Sequence, residues 1–339
     1  GSTMKIDAGI PTTNPLEAGP VARQLEDAGF DGAFTFEGPN DPFFPIVTSA
    51  MATEKIELIT SIAVAFARNP MILANIGYDL NLISEGRFIL GLGSQIKPHI
   101  TKRFSMPWSS PAARMKEMIL AIQAIWDCWQ NGTKLNFRGD FYTHTLMTPF
   151  FNPGSNPHGL PKIYVAAVGP LMTQAVAESA DGLLGHPLNT PKYIKEVTMP
   201  IVEKALTSAG KSRSDFDLSV SIMTAIGMTE ESHQKAVEAC RAQVAFYAST
   251  PNYRAVLETH GVGDLSKELN LLSKKGQWQE MGKLIDDDLL NTFAVVAETP
   301  EALATEIKSR YGELGDRITP ILYSLEIELA PLVLDALRS

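Results

Sequence analysis

The sequence predicts an α/β fold, namely one (β/α)8 or TIM barrel with insertions that spans residues 1–339 as a single domain. Short apolar segments with strand character alternate with amphipathic helical segments eight times along the chain. No low-complexity linker or change of composition divides it. Since 45% of the 339 residues are hydrophobic, the chain can bury one large core. This unbroken alternation favours one parallel barrel over two domains.

The first four strand–helix units precede the middle of the chain. Strands are predicted at residues 5–10, 32–36, 56–64 and 87–92. A polar residue followed by Pro starts a helix, and a Gly ends one. These signals are found at Asn69-Pro70, Ser110-Pro111, Gly29 and Gly86, and another helix is expected from about Pro42.

The second half supplies four more strands and their helices. The strands are predicted at residues 162–168, 182–184, 218–226 and 318–323. Helices are expected from near Pro170 and over residues 191–209, 230–248, 300–314 and 326–337.

Residues 249–291 are too long for a plain connection between two barrel elements. We expect this insertion to cover the barrel mouth and to serve substrate choice more than folding, because long loops on the catalytic side are often functional. A helical hairpin that only covers the barrel flank is an equally good interpretation.

Composition excludes several classes of partner. The chain has 29 Lys and Arg against 38 Asp and Glu, for a net charge of -9, and no basic run that would follow a phosphate backbone. Nucleic acid is therefore not expected as a partner. No apolar run approaches the roughly 18 residues of a membrane helix, and no basic-then-apolar signal segment is present. Cys128 and Cys240 form no disulfide framework, so we expect a cytoplasmic protein.

Motifs of several enzyme classes are missing. The six histidines and two cysteines have no metal-ligand spacing, so no metal is expected. The sequence also lacks a GxSxG elbow, a Walker loop and a Rossmann GxGxxG. It therefore resembles neither a serine hydrolase, nor a P-loop NTPase, nor an ordinary NAD enzyme.

In a barrel of this class, ligand chemistry belongs at the carboxyl ends of the strands. Glu37 ends the second strand, where a carboxylate can orient a substrate hydroxyl or exchange a proton; a loop hydrogen bond is the alternative. Asp41 is better interpreted as a helix N-cap. Gly93 ends the fourth strand and permits close approach to the backbone, although tight packing explains it equally well.

The fifth strand runs through Val168 and Gly169 directly into a helix that begins near Pro170. A helix start offers free backbone N–H groups, here those of Leu171 and Met172, and the positive end of the helix dipole. This turn is a candidate phosphate site, and an ordinary β–α turn is the alternative.

Two segments resemble the luciferase-like monooxygenase superfamily: TSIAVAFARNPMILA at residues 60–74 and LISEGRFILGLG at residues 82–93. Further matches follow at Arg103-Phe104 with Trp108, and at residues 161–167, 179–182 and 299–301. The resemblance weakens only over about 249–291. Within the superfamily the sequence looks most like the branch that depends on the deazaflavin coenzyme F420.

This resemblance implies a coenzyme over the barrel mouth and hydride transfer between its C5 atom and a small, apolar or aromatic organic substrate. It also implies a homodimer formed through helices that flank strands two to four. Two other functions stay open. One is an FMNH2-dependent two-component monooxygenase on the same barrel, and the other is a ligand-binding barrel that has lost catalysis.

The resemblance also implies roles for individual residues. Glu37 takes the place of an acidic residue near the coenzyme ring. Ser61 and Ile62, which follow Thr60, stand where the branch has a non-proline cis peptide behind the ring, and Gly93 ends the next strand. The phosphate-binding turn would comprise Val168, Gly169, Leu171 and Met172.

One position departs from the branch. Several members have a histidine directly after the acid of strand two, whereas this sequence has Gly38. Glu37 itself, His99 or His144 can replace that histidine, with surface or packing roles as the alternative for the two histidines. Trp108 lies in the same loop as His99 and is a candidate wall of the substrate site, or a packing residue.

Overall fold

A computed structural model describes residues 4–12, 14–324, 326 and 328–339. Eight parallel strands pair edge to edge and close into a barrel, each with the next and the eighth with the first. The strands are β1 (Lys5–Gly9), β2 (Gly32–Thr35), β3 (Glu57–Thr60), β4 (Phe88–Gly93), β5 (Lys162–Ala166), β6 (Gly182–Leu184), β7 (Asp217–Ala225) and β8 (Arg317–Leu322). The predicted eight-stranded barrel is confirmed.

Helices surround the barrel. They are α1 (Pro15–Ala28), α2 (Phe44–Ala52), α3 (Pro70–Ile83), α4 (Pro111–Asn131), α5 (Pro170–Ser179), α6 (Pro191–Tyr193), α7 (Met199–Ser208), α8 (Glu230–Ala248), α9 (Arg254–Thr259), α10 (Asp264–Lys274), α11 (Trp278–Lys283), α12 (Asp287–Phe293), α13 (Pro300–Tyr311) and α14 (Leu329–Arg338). A π-helical segment, Ile194–Thr198, joins α6 to α7. Residue 327, within the range predicted for the last helix, lies outside the described residues.

The predicted helix signals mark real ends. The Asn69 side chain accepts a hydrogen bond from the N–H of Ile72 at 2.9 Å, and α3 begins at the following Pro70. Helix α4 begins at Pro111, although the Ser110 side chain does not cap it. Asp41 accepts hydrogen bonds from the N–H groups of Phe43 and Phe44 at 2.7 and 3.3 Å. The second helix therefore starts two residues later than Pro42 suggested.

The third strand differs from its prediction. The sequence pattern is continuous over residues 56–64, but β3 ends at Thr60. A separate short strand, Ala63–Val64, then pairs with Leu92 and Gly93 of β4. The apolar character continues because both parts are buried, so composition alone does not reveal the break.

The seventh strand is the longest in the barrel. Its first residues pair with β6, and its last three pair with another short strand, Ala294–Val296. That strand was not predicted from the sequence. Its three residues directly follow α12, and so short a segment shows no alternation of its own.

The 249–291 segment combines features of both interpretations. Thr250, Asn252 and Tyr253 line the cleft at the barrel mouth. The helices that follow, α10 to α12, pack against α8. Leu269 and its neighbours in these helices belong to a buried apolar cluster shared with α8. No helix among the described residues is long and apolar enough to cross a membrane.

Candidate active site

A cleft of about 1450 Å³ opens at the carboxyl ends of the barrel strands. Its walls come from the strand ends and from the first turns of α4 and α5. Eight of the residues singled out from the sequence line it: Ser61, Ile62, Gly93, Trp108, Val168, Gly169, Leu171 and Met172. The structure thus brings the cis peptide predicted at Ser61 and Ile62 and the predicted phosphate-binding turn into one cavity.

Ser61 and Ile62, which directly follow β3, form one wall of the cleft. The peptide bond between Ser61 and Ile62 is cis, which confirms that prediction. The N–H of Ser61 donates to the carbonyl of Thr35 at 2.7 Å, and the carbonyl of Ile62 accepts from the N–H of Glu37 at 3.1 Å. A Cβ atom at Gly93 would lie 2.5 Å from Cδ1 of Ile62. Gly93 therefore leaves the space that the Ile62 side chain occupies.

Thr60 directly precedes this wall in the chain but does not itself line the cleft. Its hydroxyl donates to the carbonyl of Gly91 at 2.8 Å and accepts from the N–H of Gly91 at 2.9 Å. A Cβ atom at Gly91 would lie 1.6 Å from the Thr60 carbonyl oxygen, so only glycine fits there. Thr60 thereby holds β3 against β4.

Glu37 is occupied by the backbone and by an arginine. Its carboxylate accepts hydrogen bonds from the N–H of Val64 and from one terminal nitrogen of Arg68, both at 2.7 Å. The other terminal nitrogen of Arg68 lies 3.3 Å from Glu37 and 3.3 Å from Asp41. The Glu37 side chain is 8% exposed and is outside the cleft lining. In this arrangement it anchors the segment that carries the cis peptide.

The predicted phosphate-binding turn, at Val168 and Gly169, has a backbone conformation that suits anion binding. Gly169 has φ +84° and ψ 159°, a region that essentially only glycine adopts. Its carbonyl accepts from both the N–H and the hydroxyl of Thr173, at 3.1 and 2.7 Å. The N–H groups of Leu171 and Met172 precede the first intrahelical bond and remain available to an anion.

A second helix start faces the same cleft. The first turn of α4 lines it, preceded by Ser110 with φ 41°. Lys116 of α4 pairs with Glu178 of α5, and this pairing holds the pKa of Glu178 below its usual range. Trp108 contacts the ring of Phe66 edge to face at 5.9 Å between centroids. Trp108 is thus a wall that packing holds in place.

The floor of the cleft carries an ion pair. Asp7 lines the cleft, and both of its oxygens bind the guanidinium of Arg317 at 2.8 Å. Burial alone would lower the pKa of Arg317, but hydrogen bonds and charge from Asp7, with the charge of Glu57, raise it. A Cβ atom at Gly32 would lie 2.3 Å from Asp7, so β2 needs a glycine beside the pair.

His186 also lines the cleft, and the sequence analysis missed it. It follows β6, and its Nδ1 accepts a hydrogen bond from the N–H of Leu188 at 2.9 Å. Its ring stacks on Tyr253 with a centroid distance of 4.0 Å and meets Tyr247 edge to face at 4.5 Å. Burial lowers the pKa of His186 to about 3, so the imidazole is neutral at physiological pH.

The two histidines predicted from the sequence lie elsewhere. His99 is exposed, and its Nδ1 accepts from Nε of Arg103 at 3.0 Å. His144 lies in a two-stranded hairpin formed by Phe137–Arg138 and Thr143–His144. Burial lowers the pKa of His144, and its Nε2 has no hydrogen-bond partner among the described residues. Neither histidine belongs to the cleft lining, and their catalytic roles stay predictions.

Within the described ranges, no group of three or more His, Cys, Asp or Glu side chains could hold a metal ion. The cleft lining itself presents hydroxyl groups, apolar side chains and the first turns of α4 and α5.

Comparisons with known proteins agree on one family. The sequence profile of the luciferase-like monooxygenase family matches residues 4–317. The chain is 49% identical over 326 residues to the uncharacterized protein Rv1360 of Mycobacterium tuberculosis, covering 96% of this chain and 95% of that protein. It is 28% identical over 314 residues to the 5,10-methylenetetrahydromethanopterin reductase of Archaeoglobus fulgidus, covering 90% and 88%.

Solved structures share the fold. The coenzyme F420-dependent tetrahydromethanopterin reductase of Methanopyrus kandleri superposes with a TM-score of 0.79 at 21% identity, covering 99% of this chain and 98% of that one. An F420-dependent secondary alcohol dehydrogenase bound to an F420-acetone adduct gives 0.75 at 20% identity, with both chains covered completely. The oxygenating constituent of 3,6-diketocamphane monooxygenase from Pseudomonas putida, in complex with FMN, gives 0.67 at 14% identity, covering 98% and 97%.

Proposed function

The chain belongs to the luciferase-like monooxygenase family, and from that premise we propose that it is an F420-dependent oxidoreductase. It transfers hydride between the deazaflavin coenzyme and a small organic substrate. One observation carries the proposal: a single cleft joins the wall at Ile62 to the free N–H groups at the start of α5. The wall at Ile62 is an apolar surface suited to a ring, and the N–H groups form an anion site suited to a phosphate.

The residues present fit such a coenzyme. The cleft volume of about 1450 Å³ leaves room for a coenzyme and a small substrate together. A Cβ atom at Gly169 would meet no atom within 4 Å, so the turn is open on the side that a phosphate would approach. Leu171 and Met172 would then donate their N–H groups to it.

The choice of F420 over FMN rests on the named relatives. The Methanopyrus kandleri reductase and the secondary alcohol dehydrogenase are F420-dependent by name, and the Archaeoglobus fulgidus relative is a 5,10-methylenetetrahydromethanopterin reductase. An FMNH2-dependent monooxygenase is the second candidate, because the Pseudomonas putida neighbour holds FMN on the same fold. Both coenzymes have a tricyclic ring and a phosphate, so the wall at Ile62 and the start of α5 would suit these two groups of either one.

When bound, the deazaflavin coenzyme supplies a two-electron hydride carrier. The protein supplies position. Ile62 would support one side of the ring, the N–H groups at the start of α5 would bind the phosphate, and Trp108 would limit the space beside them. Thr60 and Glu37 act behind this surface: Thr60 bonds Gly91 and Glu37 bonds Val64, which keeps the Ile62 wall in place.

The start of the 249–291 segment is proposed as part of the substrate site. Thr250, Asn252 and Tyr253 contribute side chains to the cleft, whereas the helices after them pack on α8. We therefore propose that substrate choice depends on the first residues of the segment and that its remainder stabilises the barrel flank.

A homodimer through the helices that flank strands two to four is also part of the proposal. Large apolar side chains are exposed on α2 and α3, among them Phe44 at 64%, Met51 at 77% and Leu82 at 50%. Apolar side chains of this size favour burial against a second copy. Sedimentation velocity should give about twice the 36.9 kDa chain mass. The cytoplasmic location stays a prediction.

Titration of the purified protein with F420 and with FMN, each oxidised and reduced, tests the function. We expect F420 to bind with a dissociation constant near or below about 1 μM, or about -8 kcal/mol, and FMN to bind more weakly. Tighter binding of FMN with oxygen uptake on reduction would move the assignment to the monooxygenase. Binding of neither coenzyme would favour a ligand-binding barrel without catalysis.

A further inference from the structure

His186 is the one histidine among the described residues that lines the cleft. Aromatic residues from two other elements hold its ring: Tyr253 stacks on one face with an interplanar angle of 20°, and Tyr247 of α8 meets the ring at 81°. The imidazole is therefore held in one plane by the rings of Tyr253 and Tyr247.

The backbone determines which nitrogen of His186 carries the proton. The N–H of Leu188 donates to Nδ1 at 2.9 Å, and a backbone N–H cannot accept. Nδ1 therefore presents its lone pair, and in a neutral imidazole the proton lies on Nε2. The phenols of Tyr247 and Tyr253 face the ring and are themselves neutral, because burial raises the pKa of both, that of Tyr253 to about 12.

The Nε2–H group has no partner among the described residues, and it is accessible. The buried side-chain polar atoms that lack a partner in the described part of the chain belong to Ser49, Asn81, His144 and His233. Nε2 of His186 is not one of them although it also lacks a partner among the described residues, so this atom is not fully buried. A free N–H on a residue that lines the cleft can donate a hydrogen bond to a molecule bound there.

The surroundings of His186 favour an uncharged ligand. The strand ends contribute hydroxyls and apolar groups to the cleft, from Ser219, Ser221, Thr319, Leu184 and Ile321. Asp7 on the floor is already neutralised by Arg317. The other charged residues of the cleft are the exposed Lys97 and the paired Lys116 and Glu178. A neutral donor between aromatic rings and hydroxyls fits one acceptor oxygen on an apolar body better than a carboxylate or a phosphate.

We propose that His186 binds the substrate oxygen through Nε2–H, and that the substrate is a neutral carbonyl compound, or the corresponding alcohol, with an apolar or aromatic body. This proposal rests on the proposed function and assigns the substrate class of that site.

The step balances without a proton from His186. In the reducing direction, the carbonyl carbon accepts the hydride that the coenzyme supplies, and the C=O bond becomes a C–O single bond. The oxygen takes one proton from water, which leaves hydroxide, so the ketone, one hydride and one proton become the alcohol while the reduced coenzyme is oxidised by two electrons. His186 keeps its proton and donates a hydrogen bond to the oxygen as negative charge develops on it.

A matched pair of substitutions tests this role. In His186→Asn, the shorter amide can still accept from Leu188 but has no donor at the position of Nε2. In His186→Gln, the amide NH2 reaches that position. The probe is acetophenone, titrated into protein loaded with oxidised F420, in which no hydride transfer takes place. We expect His186→Asn to weaken acetophenone binding about tenfold or more and His186→Gln to restore much of it, with F420 binding within about twofold of the parent in both.

Nitrogen-15 NMR supplies a second readout that does not depend on turnover. We expect a protonated Nε2 and an unprotonated Nδ1 for His186 from about pH 5 to pH 8, and a shift of the Nε2–H signal when acetophenone binds. The proposal is overturned by an Nδ1–H tautomer, by a charged imidazole at pH 7, by no acetophenone binding to the F420-loaded parent, or by equal binding to parent and His186→Asn. Failure of F420 itself to bind would instead overturn the proposed function.

Discussion

The guanidinium of Arg317 binds both carboxylate oxygens of Asp7 at 2.8 Å, and each side chain is 2% exposed. This ion pair links the first and last strands of the barrel, because Asp7 lies on β1 and Arg317 on β8. Lys5 of β1 and Arg317 of β8 are also neighbours in register. A paired charge that is so deeply buried depends on its partner far more than a surface ion does.

Arg317→Met should therefore lower the free energy of unfolding by about 3–5 kcal/mol, since it leaves the Asp7 carboxylate buried without its counter-charge. Urea denaturation at pH 7.5 measures this. Lys283→Met is the control, because the Lys283–Glu280 pair is 70% and 55% exposed; its effect should stay within about 0.5 kcal/mol. A loss below 1 kcal/mol for Arg317→Met would contradict the argument.

The pH dependence of stability should carry the signature of His186. Its pKa is about 3 in the folded protein and about 6.5 in the unfolded chain, so below pH 6.5 the unfolded chain binds a proton that the folded protein does not. Stability is complete above pH 6.5 and is lost as the pH falls towards 3, at up to about 1.4 kcal/mol per pH unit from this group.

Urea denaturation of the parent and of His186→Asn at pH 7.5, 6 and 5 isolates this effect. The parent should lose more stability than the variant on acidification, whereas the exposed His158 replaced by Asn should follow the parent. Parallel pH profiles for parent and His186→Asn would show that the imidazole is not held neutral by burial.

Gly169→Val should weaken F420 binding by about tenfold or more, because a branched side chain disfavours φ +84° and shifts the N–H groups of Leu171 and Met172. Fluorescence titration measures it. Gly276→Val is the matched control: Gly276 also has positive φ and open space around it, but is not part of the cleft lining. If both variants bind F420 alike, the turn is not the phosphate site.

The helices at the end of the 249–291 segment should contribute to stability through their buried face. Leu269→Ala in α10 removes a side chain that is fully buried and should cost about 2–5 kcal/mol of stability. Leu271→Ala, at a residue of the same helix that is 59% exposed, should cost less than about 0.5 kcal/mol. Thermal or urea unfolding distinguishes them. Equal, small effects would indicate that the segment is only a cover over the mouth.

Much of the fold follows from local patterns. Strands two, four and six are found within one or two residues of their predicted bounds, and α3, α4 and α5 begin at the prolines that predicted them. These signals are local, because a helix start or a buried strand depends on a few consecutive residues. The short strand at Ala294–Val296 is too brief to show such a pattern.

The site is harder to predict, because its contacts join distant parts of the chain. The cis bond after Ser61 followed from a family resemblance rather than from residue chemistry. The hydrogen bonds of Glu37 depend on Arg68, 31 positions later. His186 has no motif around it; the available signal was its place two residues after a short strand, at the end where barrels bind ligands.

The pairing of β1 with β8 also has a consequence for synthesis. Asp7 and Arg317 are 310 positions apart, so the barrel has no closing strand until the segment that carries Arg317 has left the ribosome. Until then β1 and β7 each present an unpaired edge of backbone N–H and C=O groups, which invites contact with other nascent chains. Chaperone demand during expression should therefore end when β8 emerges, rather than grow gradually with chain length.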